Sequence, residues 1–199
     1  MAPCESYEVE ELTYKRYAAC GGSHQSIEAA LANEHDLKPD DIESIEIFGV
    51  GVNSGVVGVP WTDHENPHVL AQFCAPYQVA SVIEHRRFGP AEITNERIAE
   101  AKEVDALARR THLHSGWSRE QTVRMVLRDG RELEATRDRD DVLSPELHSY
   151  EQLVEKFKYN AVFSGLVPEQ EAAEMVEAVE NLDKYENIGK FIRTYLARE

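Results

Sequence analysis

The stretch "QTVRMVLRDGRELEATRD", residues 121–138, decides the fold class. Val123, Met125 and Leu127 alternate with polar neighbours, which is the period of a strand with one buried face. Asp129-Gly130 supplies turn residues that accept a left-handed backbone, and Leu133 and Ala135 resume the alternation on the way back. A β-hairpin is expected here. The sequence on either side reads mostly helical. The chain is therefore expected to be α+β, with a small antiparallel or mixed sheet that includes the hairpin and is packed by several helices.

Working outward, "IESIEIFGV" at 42–50 alternates again and reads as a half-buried strand. "HQSIEAALANEH" at 24–35 places Ile27, Ala30 and Leu31 at helical spacing, with Ser23 as its cap and "LKPDD" as its end. "GVNSGVVGVPWTDHENP" at 51–67 is glycine-rich without a helical period and reads as a long irregular loop. It lacks the GxxxxGK[ST] spacing of a phosphate loop. "HVLAQFCAPYQVASVIEH" at 68–85 is the most apolar segment. It reads as a helix with Val69, Phe73, Tyr77, Ala80 and Ile83 on one face and a kink or break at Pro76. "TNERIAEAKEVDALARR" at 94–110 reads as one or two short helices capped by Thr94. "YEVEEL" at 7–12 fits a short strand or a frayed lead-in. Beyond the hairpin, Ser144-Pro145 opens a helical remainder. It comprises a helix ending near Gly165, a second with Pro168 in its first turn, and a last one over 187–199. No repeat or linker interrupts the chain, so one domain is expected over 1–199.

Composition bounds the partners. Of 199 residues 42% are hydrophobic, enough for a core. Lys plus Arg is 21 against 37 for Asp plus Glu, a net charge of −16. That balance argues against nucleic acid and against an anionic membrane surface, both of which need a basic face. Three cysteines, Cys4, Cys20 and Cys74, with no CxxC spacing, point to reduced thiols rather than a disulfide framework or structural zinc. No signal peptide and no apolar run of membrane-spanning length is visible, so the expected location is cytoplasmic.

Against that acidic background "YKRYAACGGSH", 14–24, is a basic island. Helix N-terminal amides beside a lysine form a natural carboxylate site. Lys15, Arg16 and His24 fit such a site, and they equally fit an exposed charge pair followed by a cap. Tyr77 fits a core tyrosine, and it could carry chemistry only with its hydroxyl facing a cleft. His112 and His114 form an HxH, and His64 and His68 flank Asp63 and Glu65, but no third metal ligand stands at a persuasive spacing. No metal is expected. The glutamates at 169, 171, 174 and 177 read as a solvated helix face.

Four passages together resemble the C-terminal domain of the MmgE/PrpD family. "YKRYAACGGSHQSIEAAL" is similar to its lysine-to-histidine segment leading into a helix. "DIESIEI" is similar to the strand that follows. "NPHVLAQFCAPYQVASVI" is similar to its A-Q-F-S-x-P-Y-x-V-A helix, the most specific of the four. "YEQLVEKFKYNA" with "VENLDKYENIGKFI" is similar to its closing helices. The resemblance implies an α+β small domain that shares a cleft with a helical N-terminal domain. It also implies a lyase or epimerase acting on a small di- or tricarboxylate, as in 2-methylcitrate dehydratase, cis-aconitate decarboxylase and iminodisuccinate epimerase. Proton removal beside a carboxylate is the shared chemistry, with no metal or organic cofactor.

By matched position, the resemblance makes Lys15, His24 and Tyr77 candidate catalytic residues, with Arg16, Gly22 and Ser23 as candidate substrate contacts. Because Met1 stands where the family's small domain starts, the expected partner is a helical MmgE/PrpD N-terminal-domain chain that completes the cleft. An oligomer is compatible with this. The alternative is a non-catalytic ligand-binding or regulatory module that keeps only the small-domain fold. "DRDDVLSPEL" at 138–147 departs from the Gly-Pro-bearing loop of the family, a position that bears on specificity.

Overall fold

The computed structural model describes residues 12, 14–33, 36–50, 56–114, 116, 118–143 and 149–197. Cys4, residues 7–11 of the lead-in and the Ser144-Pro145 helix start lie outside the described residues. Where the sequence reading placed one domain over 1–199, the contacts group into two compact units, Met1–Leu147 and His148–Glu199.

The first unit holds a four-stranded mixed sheet in the order β2-β1-β3-β4. The strands are β1 (Ile42–Phe48), β2 (Thr111–Leu113), β3 (Glu120–Leu127) and β4 (Glu132–Asp138). The hairpin forms as its alternation requires. β3 pairs antiparallel with β4, Val123 opposite Ala135 and Met125 opposite Leu133. Gly130 takes the turn at φ 88. β1 pairs antiparallel with β3, setting Ile45 against Met125 and Ile47 against Val123, and parallel with β2. A parallel pair needs a long crossover, and the helices between β1 and β2 supply it. They are α2 (Pro67–Phe73), α3 (Ala75–His85), α4 (Asn95–Glu100) and α5 (Lys102–Arg109).

The period of two puts Ile45, Ile47, Val123 and Met125 on one face, where all four are fully buried. α1 (His24–Leu31), α3 and α5 cover that face with Ile27, Ala30, Val79, Val82, Ile83, Val104 and Leu107. The opposite face carries Glu46, Arg124 and Glu134 in one cross-strand row, with Arg124 Nε donating to Glu134 at 2.8 Å.

The apolar segment breaks at Cys74, two residues before the proline. Cys74 leaves the helical region (φ −118, ψ 99) and forms an isolated antiparallel bridge with Gly58, while Pro76 sits in the first turn of α3. The cause is covalent. Pro76 has no N–H to offer the carbonyl of Gln72 four residues back. That carbonyl instead accepts the amide of Cys20 at 2.9 Å, so the break holds the glycine turn of the basic island in place.

Gly49 closes β1 at φ 79, and a Cβ there would stand 2.1 Å from the Glu120 carbonyl oxygen. Gly49→Ala is expected to cost more than about 3 kcal/mol, since left-handed strain and overlap with backbone add. Gly165→Ala, at φ 72 with nothing within 4 Å, should cost only about 1 kcal/mol. Urea midpoints of the two variants check this contrast.

The second unit contains α7 (Tyr150–Phe163), α8 (Glu169–Glu180) and α9 (Ile188–Phe191); the short α6 (Asp140–Leu143) belongs to the first unit. Ser149 and Gln152 form the reciprocal cap of α7, and Gly165 follows its end, as expected. Tyr150 Oη donates to Glu180 at 2.6 Å, joining the start of α7 to the end of α8. Glu169, Glu174 and Glu177 are exposed.

Candidate functional site

The basic island is a pinned loop rather than a free one. Residues 14–20 run over the core, and Ala18 N donates to Phe88 O at 3.3 Å. A short 3-10 turn, Gly21–Ser23, then feeds directly into α1. Ser23 occupies the cap position by sequence, yet its side chain does not cap α1. It is fully buried and its hydroxyl donates back to Cys20 O at 3.0 Å. Gln121, at the start of β3, fixes the turn from beneath. Its Nε2 donates to Gly22 O at 2.6 Å, while its Oε1 accepts from Ser26 N at 3.0 Å and from the Ser26 hydroxyl at 2.5 Å. Gln25 Nε2 adds a bond to Arg119 O at 2.7 Å.

Two candidate residues from the island face solvent together with its glycine: Lys15 and Arg16 are exposed, and so is Gly22. Arg16 is engaged, with Nη1 donating to Glu28 Oε1 at 2.5 Å. Tyr17 Oη donates to the same oxygen at 2.6 Å. The Tyr17 ring then stands edge-on to the His24 ring, centroids 5.3 Å apart. His24 is completely buried.

Tyr77 does not meet the condition set for a catalytic hydroxyl. It is 1% exposed, and its Oη donates to the backbone carbonyl of Glu92 at 2.9 Å. Its ring lies 4.4 Å from Trp61 and 6.3 Å, edge-on, from Phe88. A tyrosine flanked by two aromatic rings with its hydroxyl spent on the backbone is a core pillar in this conformation. Two of the three candidates, His24 and Tyr77, are linked through buried aromatic contacts, His24–Tyr17 and Phe88–Tyr77, with the Ala18–Phe88 bond between. Only Lys15 of the three reaches the surface.

Burial raises both tyrosine hydroxyls above the ordinary value of 10.0, helped at Tyr17 by its bond to Glu28 and at Tyr77 by the charge of Glu92. A folded pKa above the unfolded one stabilises fully below pH 10, and the benefit fades as pH rises beyond it. Stability is expected to fall above pH 10 by about 1.4 kcal/mol per pH unit for each buried tyrosine. Urea midpoints measured from pH 8 to 11.5 check this, with Tyr17→Phe and Tyr77→Phe each flattening the slope.

The histidine pairs do not build a metal centre. His114 pairs with Glu46 and stacks on Phe48 at 4.3 Å, and His64 Nδ1 accepts the amide of Asn66 at 3.0 Å. Among the described residues no three His, Cys, Asp or Glu side chains are grouped so as to hold a metal ion. No described helix is long and apolar enough to cross a membrane.

Glu28, Tyr17 and Gln121 were missed in the sequence. Glu28 had a signal: an acid one helical turn after His24, beside the chain's basic island. Gln121 had one too, since it shares the inward parity of Val123 and Met125. Comparison with known families matches a model described as MmgE/PrpD C-terminal domain, over residues 17–184. No curated protein matches the chain.

Proposed function

The chain belongs to the MmgE/PrpD family through its C-terminal domain, and from that membership we propose that it forms one wall of a lyase site for a small di- or tricarboxylate. Lys15 carries the reading. It is an exposed cation on the segment that runs into the 3-10 turn Gly21–Ser23 and α1, a turn held by Gln121 and Cys20. An exposed ammonium favours a carboxylate locally in a chain of net charge −16.

Removing a proton beside a carboxylate places enolate-like charge on that group. A fixed cation that meets the charge as it develops lowers the barrier. Lys15 supplies the cation, Gly22 the close backbone approach, and His24 the titratable ring behind the turn. The reaction is water loss of the 2-methylcitrate dehydratase type. The facing wall comes from a helical domain of the same family. The experiment is a titration of the chain with tricarballylate, followed by backbone amide shifts. Shifts at Lys15, Gly21 and Gly22 that vanish in Lys15→Gln are expected. Saturating probe with no shift there would overturn the reading.

One observation favours a second reading. Tyr77 spends its hydroxyl on Glu92, and His24 is buried, so neither offers an acid or base at the surface. A carboxylate-binding module without turnover fits those two residues, and turnover of the assembled protein separates the readings.

A further inference from the structure

Glu28 is an acid placed inside the basic island of the proposed site. It lies on α1 four residues after His24, hence on the same helix face. Its Oε1 takes hydrogen bonds from both Arg16 at 2.5 Å and Tyr17 at 2.6 Å. The pair sits at the rim: the Glu28 side chain is 19% exposed and that of Arg16 37%. We propose that Glu28 is a specificity-determining residue of the carboxylate site, an internal carboxylate that keeps Arg16 from the ligand and so limits the negative charge the site accepts. This rests on the function proposed above.

The physical ground is competition. A guanidinium binds a carboxylate best through its N–H groups, and Glu28 already takes the Nη1 donor of Arg16 and neutralises its charge. An incoming carboxylate would gain little by displacing an equal partner that is covalently tethered in place. With Glu28 neutral, the guanidinium becomes a second cation beside Lys15, and a ligand with a further carboxylate gains most. Glutamine keeps a carbonyl oxygen for the Tyr17 hydroxyl, and with it the contact of Tyr17 on His24.

The test measures tricarballylate and succinate binding to the full chain by calorimetry. Glu28→Gln is expected to tighten tricarballylate about tenfold and succinate about threefold, with a steeper salt dependence. Glu103→Gln on α5 makes the same change in net charge and is expected to stay within about twofold of wild type. Adding Arg16→Gln to Glu28→Gln should erase the gain. A residue with only a structural role would weaken binding when replaced, the opposite sign. Equal or weaker binding by Glu28→Gln, or an equal gain in Glu103→Gln, overturns the proposal. Wild-type binding that is lost in Lys15→Gln while Glu28→Gln shows no gain sinks this inference alone. No binding at Lys15 in any variant sinks the parent reading and this proposal with it.

Discussion

Lys15→Ala is expected to lower kcat/KM of the complex with the proposed helical-domain partner by about a thousandfold, the scale of losing one preorganised stabiliser of developing charge. The same substitution should move the melting temperature by less than about 1 °C, because surface changes away from caps and cores are nearly neutral. Lys15 is exposed, whereas the turn behind it is held by backbone and glutamine bonds that an alanine at 15 does not touch. The loss should appear in kcat as well as KM, since the proposed role grows as charge develops on the carboxylate. Lys15→Arg should recover part of it by restoring the charge with a different donor geometry. Steady-state kinetics beside a thermal melt check both halves, and a large drop in melting temperature would move Lys15 from chemistry to folding.

Tyr77→Ala is expected to destabilise the chain by about 3–5 kcal/mol, the range for emptying an aromatic site in a closed core. Tyr77 has two ring neighbours, Trp61 and Phe88, and almost no exposure. Tyr77→Phe keeps the ring and removes only the bond to Glu92 O, so about 1–3 kcal/mol is expected, including the carbonyl left unsatisfied. The Trp61 indole N–H is tied to Asp105 at 2.8 Å, and Arg109 Nε holds Asp105 at 2.9 Å. Because α5 anchors the Trp61 side of the stack, the cavity left by alanine cannot collapse freely. Urea unfolding of both variants gives the ratio of ring to hydroxyl, and a Tyr77→Phe loss as large as that of Tyr77→Ala would contradict the pillar role.

The sheet was legible because alternation fixes which face is buried. Val123, Met125 and Leu127, with Asp129-Gly130 behind them, determine the hairpin with little help from the rest of the chain. The cap at Thr94 was readable for a similar reason, as a local hydrogen bond between near neighbours. The site was less legible. Ser23 looked like a cap, but its hydroxyl turned back to Cys20, and long-range bonds from Gln121 took over the turn. Tyr77 matched a family position, yet what its hydroxyl meets depends on the Glu92 carbonyl fifteen residues on, which no local pattern encodes. Arg16 read as a substrate contact from its place beside Lys15, and the Glu28 that it pairs with lies twelve residues away, beyond any local pattern.

The central claim is most directly tested by turnover. The chain is co-expressed with a helical-domain chain of the same family, and the purified complex is assayed for water loss from 2-methylcitrate and CO₂ loss from cis-aconitate. The account predicts turnover that Lys15→Ala lowers about a thousandfold while the complex still forms. A stable complex that binds carboxylates at Lys15 but turns over neither substrate would contradict it and leave the binding module as the function.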